Sequence, residues 1–226
     1  MQSIERRHQQ KQETREKILA ACRELLLSEG FHGMSMRKLA AKIGYSATAI
    51  YFHFPDKDAL LGELVEREFM KFRRGFDQAG QPDASGVPAT DPIERLRRMG
   101  MIYVQFGLEQ PAAYKFLFMN TQIEQFPKIG LIEHGNPAQD CYAYLRSTVV
   151  EGLAAGRFRA ELTDPDQIAQ LFFSSTHGVV SLHLARGKDP WVPWKPVHDT
   201  AREMIEALIR GITVPAVEEK PAECQP

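Results

Sequence analysis

Residues 35–57, SMRKLAAKIGYSATAIYFHFPDK, gather small, hydroxyl and basic side chains around a single glycine. Ser35 is placed to cap a short helix from Met36 to Lys42, with Leu39 and Ile43 facing inward and Ala40 small enough for a second helix to cross. Gly44 stands where the chain must leave that helix, a position that favours positive φ. Ser46 then caps a second short helix whose inward residues are Ala49 and Ile50. Two short helices around a tight glycine turn make a helix-turn-helix pattern. The outer face offers Tyr45, Ser46, Ala47, Thr48 and Tyr51, with no long acid that phosphate would repel. Such a face suits a major groove about 12 Å wide. The start of the second helix leaves backbone N–H groups free for phosphate, and Arg37, Lys38, Lys42, His53 and Lys57 flank the surface. Taken alone, the same two helices also fit a plain hairpin packed in a core, its charges merely solvated.

Other chemistries find less support. His134, Cys141, His177 and His183 are scattered, with no pair of histidines four apart and no paired-cysteine knuckle, so no metal is expected. Neither a GxSxG elbow nor an HExxH helix occurs, and no glycine-rich phosphate loop follows a strand; no cofactor is expected. Cys22, Cys141 and Cys224 are too widely spaced for a disulfide framework, which fits a reducing cytoplasm. Residues 99–123 hold two charges, Glu109 and Lys115, among many aromatic and thioether side chains. That stretch fills a core or lines an apolar pocket. Met99, Tyr103, Phe106, Phe116 and Met119 from it, with Tyr142, Phe173 and His177 from later segments, are the candidates for holding a small molecule. Tyr103, Tyr142 and His177 would be its polar anchors. Gly178 allows close helix approach, and His177 beside it either lines a pocket or sits satisfied in packing.

The elements that must position these residues read as helices throughout. Ile18, Leu19, Cys22, Leu25 and Leu26 repeat at helical spacing before Gly30. Leu60 to Phe76 form the stripe of a longer helix capped by Asp56 and ending at Gly80, where the linker GQPDASGVPATD begins. Further helices are expected from Asp91 or Pro92, from Pro111 to Met119, over 135–156, from Asp164-Pro165 onward, and through Val197, Ala201, Met204 and Leu208. The tail from Val214 reads as frayed. The fold class is all-α. At 226 residues, 43% hydrophobic and 25% charged, the chain can bury a real core, and no apolar run is long enough to span a membrane. Residues 1–75 carry 14 Lys and Arg against 10 Asp and Glu, whereas the remainder carries 14 against 19. A basic end on an acidic body suits nucleic acid at that end.

The stretch LAAKIGYSATAIYFHFPDKDALL resembles the tetracycline-repressor (TetR) family, in the Gly44 turn, the run Ile50 to Phe54, Pro55, and Lys57 through Leu60. The resemblance covers about residues 14–76. It implies a three-helix DNA-binding domain, a long fourth linking helix, a helical dimerising ligand-binding domain, and usually repression. Carried over position by position, it puts Tyr45, Ser46, Ala47, Thr48 and Tyr51 in or near the recognition helix, and makes Arg37, His53 and Lys57 DNA-backbone contacts. Tyr45 departs from the small aliphatic residue common there, and Ala47 offers a base only apolar contact. PAAYKFLF and FFSSTHGVVSLHLARG resemble a subgroup with a His-Gly signature, with Phe173 where a tryptophan is common.

The expectation is therefore an N-terminal three-helix helix-turn-helix domain, residues 1–55, and a larger helical regulatory domain, residues 56–226. The function expected is a cytoplasmic, non-enzymatic transcriptional regulator. It would bind a palindromic operator as a homodimer through segments 164–186 and 194–211, and be released by an apolar or aromatic effector. Two rivals stand beside it: an architectural DNA-binding protein without an effector, and a small helical enzyme acting on an apolar substrate.

Overall fold

The computed structural model describes residues 2–82 and 89–214, without the side chains of residues 2–4 and 32. Six residues of the expected linker, 83–88, and the tail from 215, with Cys224, lie outside the described residues. Among the described residues nine α-helices follow in order: α1 Gln2–Gly33, α2 Met36–Ile43, α3 Ala47–His53, α4 Lys57–Gly80, α5 Pro92–Glu109, α6 Pro111–Phe118, α7 Cys141–Ala154, α8 Pro165–Arg186 and α9 Val197–Ile212. Among the described residues, β pairing is confined to isolated bridges such as Phe158 with Thr213. The all-α expectation holds.

Local signals fix most boundaries. At Gly30 the backbone turns to φ 73°, which breaks α1 where the apolar stripe ends. The Ala59 amide donates to Asp56 Oδ1 at 2.7 Å, capping α4. The Ile93 amide donates to Asp91 Oδ1 at 3.2 Å, and Asp164 caps α8 through the Asp166 amide at 2.9 Å.

The chain packs as two compact units, one of residues 1–75 with 105–141 and the other of 76–104 with 142–226. In the first, α1, α2 and α3 pack on one another and α6 packs on α1. Its core joins Ile18, Cys22, Leu25 and Leu26 of α1, Leu39 and Ile50 of the short helices, and Leu60, Leu61 and Leu64 of α4. In the second, α8 lies along α9, burying Ile168, Phe172 and Val180 with Ala201, Ile205 and Ile209.

Two expectations are corrected here. Helix α7 begins at Cys141, not at 135, because the preceding backbone is committed elsewhere. Gly135 takes φ 82°, Pro137 disfavours helix at Asn136, and the Gln139 and Asp140 amides turn back to the Asn136 carbonyl at 3.0 and 2.8 Å. Upstream, the amides of Ile129, Gly130, Leu131 and Ile132 all donate to the buried Glu66 carboxylate, at 2.6, 3.4, 2.6 and 3.3 Å. On α9 the buried stripe is Ala201, Ile205, Ile209 and Ile212. Ala201 thus belongs to the chain's own core, while Val197, Met204 and Leu208 are half-buried beside it.

Candidate nucleic-acid interface and effector residues

The first unit builds its exposed face from two capped helices. The Lys38 amide donates to Ser35 Oγ at 3.2 Å and starts α2. Gly44 ends it at φ 71°, ψ 30°, and the Tyr45 amide returns to the Ala40 carbonyl at 3.0 Å. The Ala49 amide then donates to Ser46 Oγ at 3.1 Å and starts α3. Leu39 and Ile50 are fully buried, and Phe54 nearly so, which fixes the roll of both helices about their axes. As a consequence Tyr45, Ser46, Thr48 and Tyr51 are exposed, with Ala47 and Ala49 half-buried. Arg37 is exposed on α2. Ser46, Ala47, Thr48 and Tyr51 are thus brought onto one short helix and its cap, with Tyr45 in the turn just before them.

Two flanking residues differ in their internal contacts. Lys57 Nζ donates to the Met34 carbonyl at 3.1 Å and lies 4.6 Å from the centre of the Phe31 ring, using one of its three N–H groups. His53 Nδ1 is buried without a hydrogen-bond partner. Burial, then the nearby Lys11 and Arg15 cations, push the imidazole below its ordinary pKa. An unpartnered buried Nδ1 favours the neutral ring with its proton on Nε2.

Sequence reasoning passed over the residues that hold α3. Arg15 Nη1 donates to the His53 carbonyl at 2.6 Å, its guanidinium lies 4.0 Å from the Phe54 ring centre, and it pairs with Glu63. Glu63, whose side chain is only 4% exposed, also pairs with Arg67 at 2.7 Å. Arg67 in turn reaches Glu16 at 2.7 Å. A glutamate set among the apolar residues of LLGELV was the signal that could have pointed to this network. Phe52 was also passed over, an aromatic 74% exposed at the C-terminal turn of α3.

The effector candidates divide between the two units. Phe106, Phe116 and Met119 belong to the first. There the Phe106 ring lies 4.8 Å from Phe72, Phe116 is in the core, and Met119 is exposed at the end of α6. Met99, Tyr103, Tyr142, Phe173 and His177 belong to the second. Tyr103 Oη and His177 Nδ1 are 3.0 Å apart, and Phe173 packs edge-on to Tyr103 with ring centres 5.8 Å apart. Met99 is buried, its sulfur 3.9 Å from the Thr148 hydroxyl. Burial pushes the His177 imidazole below its ordinary pKa, which favours the neutral ring beside the Tyr103 hydroxyl. Tyr142 is placed apart. Its hydroxyl donates to Asp166 Oδ1 at 2.9 Å in the first turn of α8, eleven residues before His177 and so about 16 Å from it along the helix. Burial drives the thiols of Cys22 and Cys141 up to about 12, which leaves neither as a thiolate nucleophile.

With this geometry in place, comparison with known proteins decides the family. The description "Bacterial regulatory proteins, tetR family" matches residues 18–64, and "Tetracyclin repressor-like, C-terminal domain" matches residues 96–208. The chain belongs to the TetR family. The chain is 36% identical over 91 residues to the HTH-type transcriptional regulator EthR of Mycolicibacterium smegmatis, a match covering 40% of each chain. It thus spans well under half the length of that curated relative. A protein of unknown function from Rhodococcus sp. RHA1 shares the fold at a TM-score of 0.68 and 22% identity, covering 88% of this chain and 95% of that one. The structure of RolR in complex with resorcinol aligns at a TM-score of 0.59 and 18% identity, covering 91% and 90%. Among the described residues no helix is long and apolar enough to cross a membrane, and no cluster of three or more metal-ligating side chains occurs.

Proposed function

We propose that this TetR-family chain is a sequence-specific transcriptional regulator, a cytoplasmic repressor that binds a palindromic operator as a homodimer. A small apolar or amphipathic molecule would release it. The carrying observation is the surface of α3: Ser46 fixes the start of the helix, Ile50 anchors it, and Thr48 and Tyr51 stand exposed on its outer side. Residues 1–55 then form the DNA-binding domain and 56–226 the regulatory one. Tyr45, Ser46, Ala47, Thr48 and Tyr51 meet the groove, and Arg37, His53 and Lys57 meet the backbone. His53 does so as a neutral donor through Nε2, and Lys57 through the N–H groups that Met34 leaves free.

Two recognition helices set about 34–36 Å apart would enter successive major grooves. The dimer face assigned to α8 and α9 includes Leu171 and Leu182, exposed on α8, with Met204 and Leu208 on α9. In the regulatory domain, the Tyr103–His177 pair with Phe173 and Met99 offers a polar anchor among apolar walls, suited to a hydroxylated aromatic such as the resorcinol bound by RolR. Of the other effector candidates, Phe106, Phe116 and Met119 belong to the first unit and Tyr142 is drawn to Asp166, so the proposal centres on Tyr103, His177, Phe173 and Met99. A coupling of about 1–3 kcal/mol, delivered by a shift of α4, is enough to release DNA.

Selection of bound duplexes from random DNA tests the reading. A single palindromic sequence is expected, and Thr48→Ala and Tyr51→Ala each weaken its binding by about 1–3 kcal/mol while the dimer persists. If both variants bind like the wild type, α3 is not the reading helix; if no sequence is enriched, an architectural role replaces regulation.

A further inference from the structure

The N-terminal half of α1 runs against a rule of helix electrostatics, and it does so beside the reading helix. From Ile18 onward the core-facing side of α1 is apolar, with Ile18, Cys22, Leu25 and Leu26 buried. Followed back from the buried Leu19 at a spacing of four, the same side carries Arg15, Lys11 and Arg7. Amides and acids gather on other sides, where Gln9 bonds Glu13 at 3.2 Å and Gln12 bonds Glu16 at 2.9 Å. Like charges four apart disfavour a helix. This row does not stabilise the folded chain, and a local rule broken without internal gain points to function.

The ridge is anchored where DNA would lie. Arg15 is tied to the His53 carbonyl and the Phe54 ring at the end of α3. Lys11 Nζ stands 5.3 Å from the centre of the exposed Phe52 ring. At a rise of about 1.5 Å per residue, Arg7 lies about 12 Å beyond Arg15 along α1. Arg7 and Lys11 are exposed, and among the described residues no carboxylate pairs with either. Arg15 meets Glu63 of the chain itself, but beyond it the stripe stays cationic at Lys11 and Arg7 and faces no carboxylate of the described residues.

We propose that Arg7 and Lys11 grip backbone phosphates of the duplex outside the base pairs read by α3. This rests on the reading of the chain as a DNA-binding regulator. The ridge contributes affinity and register but no sequence preference, since phosphate contacts position a protein and base edges specify the site. Duplex DNA carries one charge per about 1.7 Å of axis, so a ridge of this length meets phosphates of several base pairs.

The test uses the full chain and the duplex it selects from random DNA, in two lengths. One ends at the selected bases and the other extends about five base pairs beyond them on each side. The wild type is expected to bind the longer duplex more tightly. Arg7→Gln with Lys11→Gln should abolish that gain and leave the selected sequence unchanged. It should also lower the slope of log affinity against log salt by about 1.8 per protomer, so that the loss between about 50 and 200 mM salt shrinks roughly tenfold per protomer. The exchange Arg7→Lys with Lys11→Arg should keep wild-type behaviour, and circular dichroism confirms that both proteins are folded. An unchanged slope with the flank gain retained overturns the ridge alone. An altered selected sequence overturns it too, because the residues would then touch bases. A wild type that selects no sequence overturns the reading of the chain as a sequence-specific regulator, and with it the ridge as a contact outside a read site.

Discussion

Gly44 is the residue at which local backbone energy and DNA recognition are most tightly joined. It sits at φ 71°, ψ 30°, and a Cβ built there meets no atom within 4 Å. A substitution therefore costs only what the left-handed backbone costs, with no clash to confuse the result. For an ordinary L-residue that is about 1–2 kcal/mol. Reduced freedom of the unfolded chain offsets about 0.4–1 kcal/mol of it. Gly44→Ala is expected to destabilise by about 0.5–1.5 kcal/mol, Gly44→Asn by less because asparagine tolerates this region, and Gly44→Val by more because of its branched Cβ. The chain can relieve the strain by changing φ, but that breaks the Tyr45 amide bond to Ala40 and shifts Ser46, the cap that orients α3. Operator affinity should therefore fall by more than stability, in the same order Asn, Ala, Val. Urea denaturation gives the stability and titration of the selected duplex gives the affinity. If valine matches asparagine in both measurements, the turn is not what sets the recognition helix, and the reasoning is refuted.

Other perturbations follow from the same geometry. Glu63→Ala leaves Arg15 and Arg67 without their shared carboxylate and should cost about 2–3 kcal/mol by denaturant melt, below the 3–5 kcal/mol of a fully buried pair because the arginines keep 30% and 28% of their side-chain exposure. A cost below about 0.5 kcal/mol would rule the network out as the clamp on α3. His53 and His177 both have folded pKa values below the usual value of about 6.5, so near that pH the unfolded chain binds more protons. Their contribution to stability is complete above about pH 6.5 and is lost as the pH falls below it; His53→Gln with His177→Gln should flatten the stability difference between pH 7.5 and 5.5, and an undiminished difference would contradict these shifts. Leu182→Lys, at a site 51% exposed on α8, should weaken dimer association at least tenfold, about 1.4 kcal/mol, by analytical ultracentrifugation with helicity unchanged. A dimer as tight as the wild type would move the interface off this face.

What could be read in the sequence, and what could not, divides by the distance over which the deciding interaction acts. The helix-turn-helix was legible because its caps and glycine turn act within three or four residues, and all of them fall inside residues 35–57. The segment before α7 was not, because the Glu66 carboxylate that captures its amides is 63 to 66 residues away in the chain. The effector candidates show both cases: Tyr103 and His177 meet, whereas the helical pattern gave no hint that Tyr142 would be drawn to Asp166 at the far end of α8. The last helix is the most instructive miss. Val197, Ala201, Met204 and Leu208 form a stripe at helical spacing, and so do Ala201, Ile205, Ile209 and Ile212; periodicity alone ranks neither first. The choice is made by α5. A Cβ on Gly100 would lie 2.8 Å from Ile205 Cδ1 and 3.0 Å from Phe172 Cζ, so the absence of that Cβ makes a notch that Ile205 fills. Arg97, one turn away, fixes the same register from the edge by donating to Glu206 at 2.5 Å. A glycine on one helix and an arginine three residues before it thus decide which side of another helix, a hundred residues later, turns inward, and with it which apolar side chains remain to meet a second copy of the chain.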